Sequence, residues 1–306
     1  MGRMKLSLAC VSLFALGASF LVTDGAHAAD QRTYAASRFT VAVSGVLLAP
    51  AKTFDGGTLA ADTAPERGPL FPKRHVANVH VEPIELEVPL DSKVLNGWAA
   101  ELLDGSTATK SVSLALLDLN LKETSRNEYD RVRLVQLVFP ALDAASLDPA
   151  YVQATLQPEA IRRAPGASTT ASAGGAAHGQ RLNNFRVTVD KMPTARVSKV
   201  GAITVKAVPT GGRTVSNLVL TISEADLKPW QDWQDTFLGK GENSDAAERS
   251  GSVEYLAADM TTVTAKLNFR GLGLIRVAPD KMAQSSDAVR RFTAEMYVED
   301  VKLVSK

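Results

Sequence analysis

The run Val94-Leu-Asn-Gly-Trp98-Ala-Ala-Glu-Leu-Leu-Asp-Gly105 returns later in the chain as Asp226-Leu-Lys-Pro-Trp230-Gln-Asp-Trp-Gln-Asp-Thr-Phe-Leu-Gly239. Each run has a leucine, a tryptophan three residues later and a glycine at its end. The two leucine–tryptophan pairs align at one constant offset. These two runs decide the fold, because the other internal similarities of the chain are arranged around them.

Two further pairs of segments flank the tryptophan runs in the same order. Upstream, Arg38-Phe-Thr-Val-Ala-Val43 is echoed by Asn184-Phe-Arg-Val-Thr-Val189. Downstream, Tyr151-Val-Gln-Ala-Thr-Leu156 is echoed by Arg291-Phe-Thr-Ala-Glu-Met296. Three blocks in one order indicate a duplicated module, and we expect such a chain to be an assembly or binding scaffold.

Residues 1–28 have the pattern of an export signal. Arg3 and Lys5 give a positive start, the segment 6–22 is apolar, and Ala26-His-Ala28 has the small residues of a cleavage site. The sequence therefore predicts export across the inner membrane, to the periplasm or the medium, and a mature chain that begins at Ala29. The alternative is an uncleaved membrane anchor, since the apolar run is nearly long enough to span a bilayer.

The mature chain is neutral and contains no cysteine. Loss of Arg3, Lys5 and Asp24 from the 34 basic and 33 acidic residues leaves 32 of each. The single cysteine, Cys10, lies in the removed segment. This composition argues against nucleic acid as a partner, which would need a basic excess. It also leaves no thiol for a zinc site or a disulfide.

Two segments of irregular composition interrupt the mature chain. The segment 164–181 is dominated by small and polar residues, as is typical of a flexible linker. It separates a first domain over 37–163 from a second domain over 182–306. The segment 51–73 is rich in Gly, Pro and Thr and has no counterpart in the second copy, so a long loop is predicted there.

Most of the rest alternates between apolar and polar residues, which predicts half-buried strands. The clearest examples are the segments 39–43, 85–88, 185–189, 218–222 and 266–269. The tryptophan runs have helical spacing instead, with Asp226 placed to cap the second helix and Gly239 placed to end it in a left-handed conformation. The predicted fold is mainly β, with two tandem antiparallel β-barrels that each carry one short flanking α-helix.

The second copy resembles the tail tube proteins of contractile phages. It has extended strands, then Leu227-x-x-Trp230-x-x-Trp233-x-x-x-Phe237-x-Gly239, a polar insert, a strand at 251–256 and an acidic strand at 291–300. This order is similar to that of the haemolysin-coregulated tube protein of type VI secretion and of the tube subunits of extracellular contractile injection systems. The resemblance covers most of 184–306 and, more faintly, 38–163.

The resemblance implies barrels that assemble by pairing edge strands around a ring. Because each chain would contribute two barrels, three chains would close a pseudo-hexameric ring. The implied partners are proteins, including further copies of this chain, and a membrane is involved only if the signal stays uncleaved. Tube subunits act without an export signal, so residues 1–28 suggest a tube-like protein reused outside the cytoplasm.

No catalytic residue, metal ligand or cofactor site is predicted, because the recognised chemical motifs are missing from the sequence. His75 and His80 are five residues apart beside a strand, a spacing that sends them to opposite faces. His178 lies in the predicted linker.

The tryptophans are predicted to have two different roles. Trp98 and Trp230 are expected to fill the cores of their own barrels. Trp233 has no counterpart in the first copy, so we expect it to be partly exposed, and it is the one candidate for a partner or ligand contact.

Two functions are consistent with the sequence. The first is an exported, non-enzymatic structural or interaction protein that acts through barrel-to-barrel or partner contacts. The alternative is a periplasmic or secreted ligand-binding module, with a cleft near Trp233 or the segment 51–73. The first predicts strand-mediated oligomers, and the second predicts a monomer.

Overall fold

The computed structural model describes residues 38–66, 73–167, 180–209, 211–280 and 290–305. The predicted export signal, His178 and most of the predicted linker lie outside these residues. The unit Ala36–Lys306 is compact, and the structure is mainly β, with 58% strand and 12% helix. None of the described helices is long and apolar enough to cross a membrane.

The described residues of the first module (38–165) form eleven strands and one α-helix. Its strands are β1 (Arg38–Val43), β2 (Val46–Leu47), β3 (Thr53–Gly56), β4 (Leu59–Glu66), β5 (Lys73–Val81), β6 (Ile84–Pro89), β7 (Lys110–Leu117), β8 (Glu123–Phe139), β9 (Leu142–Asp143), β10 (Tyr151–Gln157) and β11 (Ala160–Pro165). The helix α1 (Lys93–Leu103) lies between β6 and β7.

The described residues of the second module (185–305) form eight strands and one α-helix, with short helical turns at Glu224–Asp226, Asp235–Gly239 and Asp245–Ala247. Its strands are β12 (Phe185–Val189), β13 (Lys199–Val200), β14 (Ile203–Ala207), β15 (Arg213–Val215), β16 (Leu218–Ser223), β17 (Arg249–Leu256), β18 (Val263–Pro279) and β19 (Arg291–Ser305). The helix α2 (Leu227–Gln234) lies between β16 and β17.

The two modules have the same strand order. In the first, antiparallel neighbours follow the order β1-β7-β8-β10-β6, and in the second they follow β12-β17-β18-β19-β16. In each module the helix leads from the last strand of this order to the second one. The three repeated sequence blocks lie on equivalent elements, which are β1 and β12, α1 and α2, and β10 and β19.

The pairing registers of the two modules also coincide. Phe39 pairs with Leu116 as Phe185 pairs with Tyr255. Three register shifts recur at equivalent positions. They lie at Lys110/Val112, Leu116/Leu117 and Thr155/Leu156 in the first module, and at Arg249/Gly251, Tyr255/Leu256 and Leu274/Arg276 in the second. Since a slip of one residue turns every side chain to the other face, this match is more specific than strand order alone.

The prediction of a long loop over 51–73 is wrong for the residues that the structure describes, and 67–72 lie outside them. The segment forms β3 and β4, and β4 pairs with β5 in an exposed two-stranded ribbon. The ribbon does have a counterpart, the shorter hairpin of β14 and β15, because Leu59 pairs with Val81 as Val205 pairs with Val215. A ribbon exposed on both faces needs no apolar alternation, so the pattern that reveals a strand is missing.

The two histidines lie on the same face of the ribbon, contrary to the prediction. β5 contains a bulge at Asn78, where φ is 45°. His75 pairs with Ala64 and His80 pairs with Ala60, and these two partners on β4 are four residues apart. The extra residue of the bulge turns an odd spacing in sequence into an even spacing in the ladder.

Both helices occupy their predicted runs, but their ends differ from expectation in the second module. Ser92 caps α1 by accepting a hydrogen bond from the Leu95 amide. Asp226 makes no cap hydrogen bond to α2, and its carboxylate accepts from Arg196 at 2.7 Å instead. A π-helical turn at Asp235–Gly239 extends α2, and the left-handed glycine is Gly241 rather than the predicted Gly239.

One hydrophobic core runs through both modules. Trp98 and Trp230 are 3% and 0% exposed, so their predicted burial is confirmed. No closed barrel is found among the described strands. The barrels and the domain boundaries at 37–163 and 182–306 therefore stay predictions.

Candidate functional site

The two modules are joined by main-chain pairing. β14 of the second module lies antiparallel to the C-terminal half of β8, with Ile203 opposite Phe139 and Lys206 opposite Gln136. β13 pairs with β9 beside it. The second module thus extends the sheet of the first by strand addition, which satisfies the backbone groups of an otherwise open edge.

Apolar side chains and one ion pair stabilise this joint. Val205 and its partner Leu137 are both 0% exposed, and Phe139 is 1% exposed. At the β13–β9 pair, Lys199 Nζ lies 2.7 Å from Asp143 Oδ2, and the hydrogen bond from Lys199 holds the pKa of Asp143 below its ordinary value. The helix α1 of the first module also packs against β19 of the second.

The joint was not predicted from the sequence. Ile203-Thr-Val-Lys-Ala207 alternates between apolar and polar residues and so carries a strand signal. The pattern does not tell which sheet edge such a strand will complete. The pairing of β14 with β8 is therefore visible only in the structure.

Trp233, the one predicted contact residue, is buried. It is 5% exposed, contrary to the expected partial exposure. Its ring centroid lies 6.1 Å from that of Trp230 and 5.9 Å from that of Phe237, and the Arg249 guanidinium lies 4.2 Å from the Trp233 ring centroid. Burial of Arg249 lowers the pKa of its guanidinium. The cation over the ring is a packing contact of a kind common in protein interiors.

The first module has an equivalent cluster. Glu101 occupies the position of Trp233, and its carboxylate lies 2.8 Å from Lys110 Nζ. Lys110 occupies the position of Arg249 and lies 5.6 Å from the ring centroid of Trp98. In both modules a cation at the first bulge, Lys110 or Arg249, therefore lies over a tryptophan ring of the helix. This shared contact indicates a structural role for the cluster.

An open cavity of about 440 Å³ lies beside the Trp233 cluster. Its lining includes Lys191, Asp232 and Glu242 as well as the rings of Trp233 and Phe237. Among the described residues the indole N–H of Trp233 has no hydrogen-bond partner. A role of Trp233 in partner or ligand contact stays a prediction.

Two buried carboxylates, Glu254 and Glu123, are held as ions. Glu254 lies 2.5 Å from Arg186 Nη2 and 2.9 Å from Lys266 Nζ. Burial raises the pKa of Glu254, but hydrogen bonds from Lys266 and Arg186 outweigh this effect, so the pKa lies below its ordinary value. Glu123 is held the same way, since hydrogen bonds from Arg126 lower its pKa. Carboxylates fixed in this way are unsuited to donate protons in catalysis.

Within the described ranges, no group of three or more His, Cys, Asp or Glu side chains could hold a metal ion. The arrangement offers strand edges and packed apolar surfaces, which are the elements of protein–protein contact.

The fold and joint define a mainly β protein of two equivalent modules linked edge to edge. No protein-family model matches the chain, and no curated protein matches it.

Three solved structures illustrate what the chain is similar to. The sheath–tube complex of an extracellular contractile injection system (PVC) in its extended state matches with 18% identity and a TM-score of 0.38, over 42% of this chain and 90% of that chain. The tube-terminating cap of the anti-feeding prophage matches with 17% identity and a TM-score of 0.38, over 42% and 89%. The baseplate of that prophage matches with 12% identity and a TM-score of 0.31, over 40% and 91%. At such low identities and TM-scores the likeness carries no argument about function.

Proposed function

We propose that the mature chain is an exported, non-enzymatic structural protein that acts through contacts with other proteins, including further copies of itself. The observation that carries the proposal is the strand-paired joint between β8 and β14. One module offers a sheet edge, and a second copy of the module completes it. A protein that already links its modules in this way is suited to link chains in the same way.

The two modules are, in this proposal, tandem copies of one tail-tube-like domain. Their common strand order and their three equivalent bulges support a duplication. The tail-tube character rests on the sequence resemblance of the second copy, with its Trp230 helix, its polar insert and its acidic terminal strand. Three chains, with six modules in all, would then form a closed ring through repeated head-to-tail contacts.

Export is the second element of the proposal, and it rests on the pattern of residues 1–28. The protein would act in the periplasm or the medium, with Ala29 as its first residue. N-terminal sequencing of the protein recovered outside the inner membrane tests this directly. Recovery of only the intact chain, and only from the cytoplasm, would contradict export.

Self-association is tested by light scattering coupled to size-exclusion chromatography of the mature chain. We expect masses that rise with concentration towards that of three chains. A strict monomer at every concentration reached would contradict the proposal. A strict monomer would also favour the alternative function, a ligand-binding module.

The alternative, a ligand-binding module, is favoured by the cavity beside Trp233, whose volume of about 440 Å³ falls within the range usual for small-molecule sites. The test is intrinsic tryptophan fluorescence during titration with a panel of small molecules. Saturable quenching in the wild-type chain that is lost in Trp233→Phe would favour this alternative. Unchanged spectra would remove its support.

A further inference from the structure

Two strand edges at the outer ends of the module pair are open among the described residues. β4 pairs only with β5, and β18 beyond Leu272 pairs only with β19. These edges are the counterparts of the two strands that form the internal joint.

The equivalence of β4 and β14 follows from their hairpins. Leu59 pairs with Val81, and Ala60 pairs with His80. The matching pairs in the second module are Val205 with Val215 and Lys206 with Thr214. Leu59 thus holds the position of Val205.

The equivalence of β18 and β8 follows from the shared third bulge. Leu156 pairs with Leu134, and Met296 pairs with Leu274, on the same side of that bulge. Counting on from these pairs, Val277 holds the position of Leu137, and Pro279 holds that of Phe139.

The exposures of the equivalent residues show what the outer edges lack. Val205 and Leu137 are both 0% exposed in the internal joint. Leu59, in contrast, is 61% exposed, and Val277 is only partly buried. Ile275, two residues before Val277, is 40% exposed. Each outer edge therefore has an apolar residue, Leu59 or Val277, at the position that is buried in the internal joint, but no neighbouring strand covers it among the described residues.

We propose that β4 of one chain pairs antiparallel with the C-terminal part of β18 of a second copy, in the register of the internal joint. This inference rests on the proposed self-association and specifies its contact. The internal pairs run from Ile203–Phe139 to Lys206–Gln136. The corresponding pairs between chains are Leu59 with Val277 and Ala60 with Arg276 on β4, and Thr58 with Ala278 and Gly57 with Pro279 for the two residues that precede β4.

The contact between chains is weaker than the internal joint for two reasons. Pro279 has no N–H, so the ladder has one donor fewer at its end. The face of α1 that holds Asn96, Ala99 and Leu103 is buried. The equivalent face of α2 and its π-helical extension holds Lys228, Gln231 and Asp235 and is exposed. The second contact therefore has less apolar surface to bury and is expected to be reversible.

The register is tested by disulfide cross-linking between two differently tagged mature chains. One carries Thr58→Cys and the other Ala278→Cys, and the mature chain has no other cysteine. Because each chain has one thiol, a disulfide that joins the two tags can form only between chains. Cβ atoms of paired antiparallel residues lie close enough for this bond. The matched control replaces Ala278→Cys by Val277→Cys, whose side chain points to the opposite face.

A second measurement uses a residue that is exposed in the free chain, so that folding is preserved. Leu59→Lys is expected to raise the dissociation constant of the oligomer by about tenfold or more, since it removes the apolar residue and puts a charge on the edge. The control is Val76→Lys, because Val76 is 70% exposed on the same ribbon but lies beyond the part shared with β14 and β15. Circular dichroism checks that both variants fold.

The outcomes separate the two proposals. A cross-link with Thr58→Cys and Ala278→Cys that is absent from the control, together with dissociation by Leu59→Lys alone, supports the register. Oligomers that cross-link equally in the control, or that tolerate Leu59→Lys, overturn the register and leave self-association standing. A chain that stays monomeric throughout overturns both.

Discussion

The internal joint predicts unequal losses of stability for alanine substitutions at two equivalent positions. Val205 is fully buried against Leu137, whereas Leu59 is 61% exposed on the outer edge. We compare Val205→Ala with Leu59→Ala in the mature chain, at a concentration at which it is monomeric.

The expected magnitude follows from the burial of the two side chains. Val205→Ala removes two buried methyl groups, each worth about 0.8 kcal/mol by transfer. It also leaves a void of roughly 45 Å³ that costs about 1 kcal/mol at the usual cavity coefficient. The variant should therefore lose about 2–3 kcal/mol in its free energy of unfolding. Leu59→Ala should lose less than about 0.5 kcal/mol, because most of the Leu59 side chain is in water before and after folding.

The assay is urea unfolding followed by circular dichroism, with thermal unfolding as a check. A loss of 2–3 kcal/mol corresponds to a fall of about 3–5 °C in Tm for a chain of this size. A Val205→Ala variant as stable as the wild type would refute the joint. Equal losses for the two variants would refute the assignment of β4 as an open edge.

Three further predictions concern buried or partly buried polar groups. The Tyr255 hydroxyl is fully buried and has no hydrogen-bond partner among the described residues, so Tyr255→Phe should stabilise the fold by up to about 1 kcal/mol, and a lower urea midpoint would contradict this. Glu254→Gln should cost about 1–3 kcal/mol at pH 7, since it removes charge-assisted hydrogen bonds. The pKa of Glu254 is lowered from 4.5, so the contribution of its charge is present above pH 4.5 and is lost as the pH falls through the lowered pKa. The wild type and the variant should therefore converge in stability in acid. The pKa of Tyr297 is raised from 10.0 to about 12 by burial and then by its hydrogen bond to Glu248. Above pH 10 the unfolded chain therefore releases this proton while the folded chain keeps it, wild-type stability falls between pH 10 and 12, and Tyr297→Phe should flatten that part of the profile.

The sequence was sufficient for the elements that have one buried face. The strand at 218–222 and the helix around Trp98 were predictable because burial imposes a period of two on a strand and of 3.6 on a helix. The repeated blocks were visible for the same reason, since they are the core-facing parts of the modules.

The features that the sequence did not reveal depend on which strand or side chain a residue contacts in the fold. β4 is exposed on both faces, so its residues carry no period. Partial exposure is expected of Trp233 from the sequence, because the first copy has no tryptophan there. Its partner in the fold is Arg249, as Lys110 is the partner of Glu101 in the first module. A residue that has no counterpart in the other copy can therefore still be buried, because the residue that it contacts in the fold differs between the copies as well.

The two modules differ most at the surfaces that form the joint within a chain and the proposed contact between chains. The internal joint has Val205 buried and the apolar face of α1 covered, while the outer edges have Leu59 exposed and a polar face on α2. An outer edge as apolar as the internal joint would favour association at low concentration. On the proposed function, the weaker outer contact therefore makes assembly depend on the concentration reached after export, whereas the joint within each chain forms on folding and is independent of concentration.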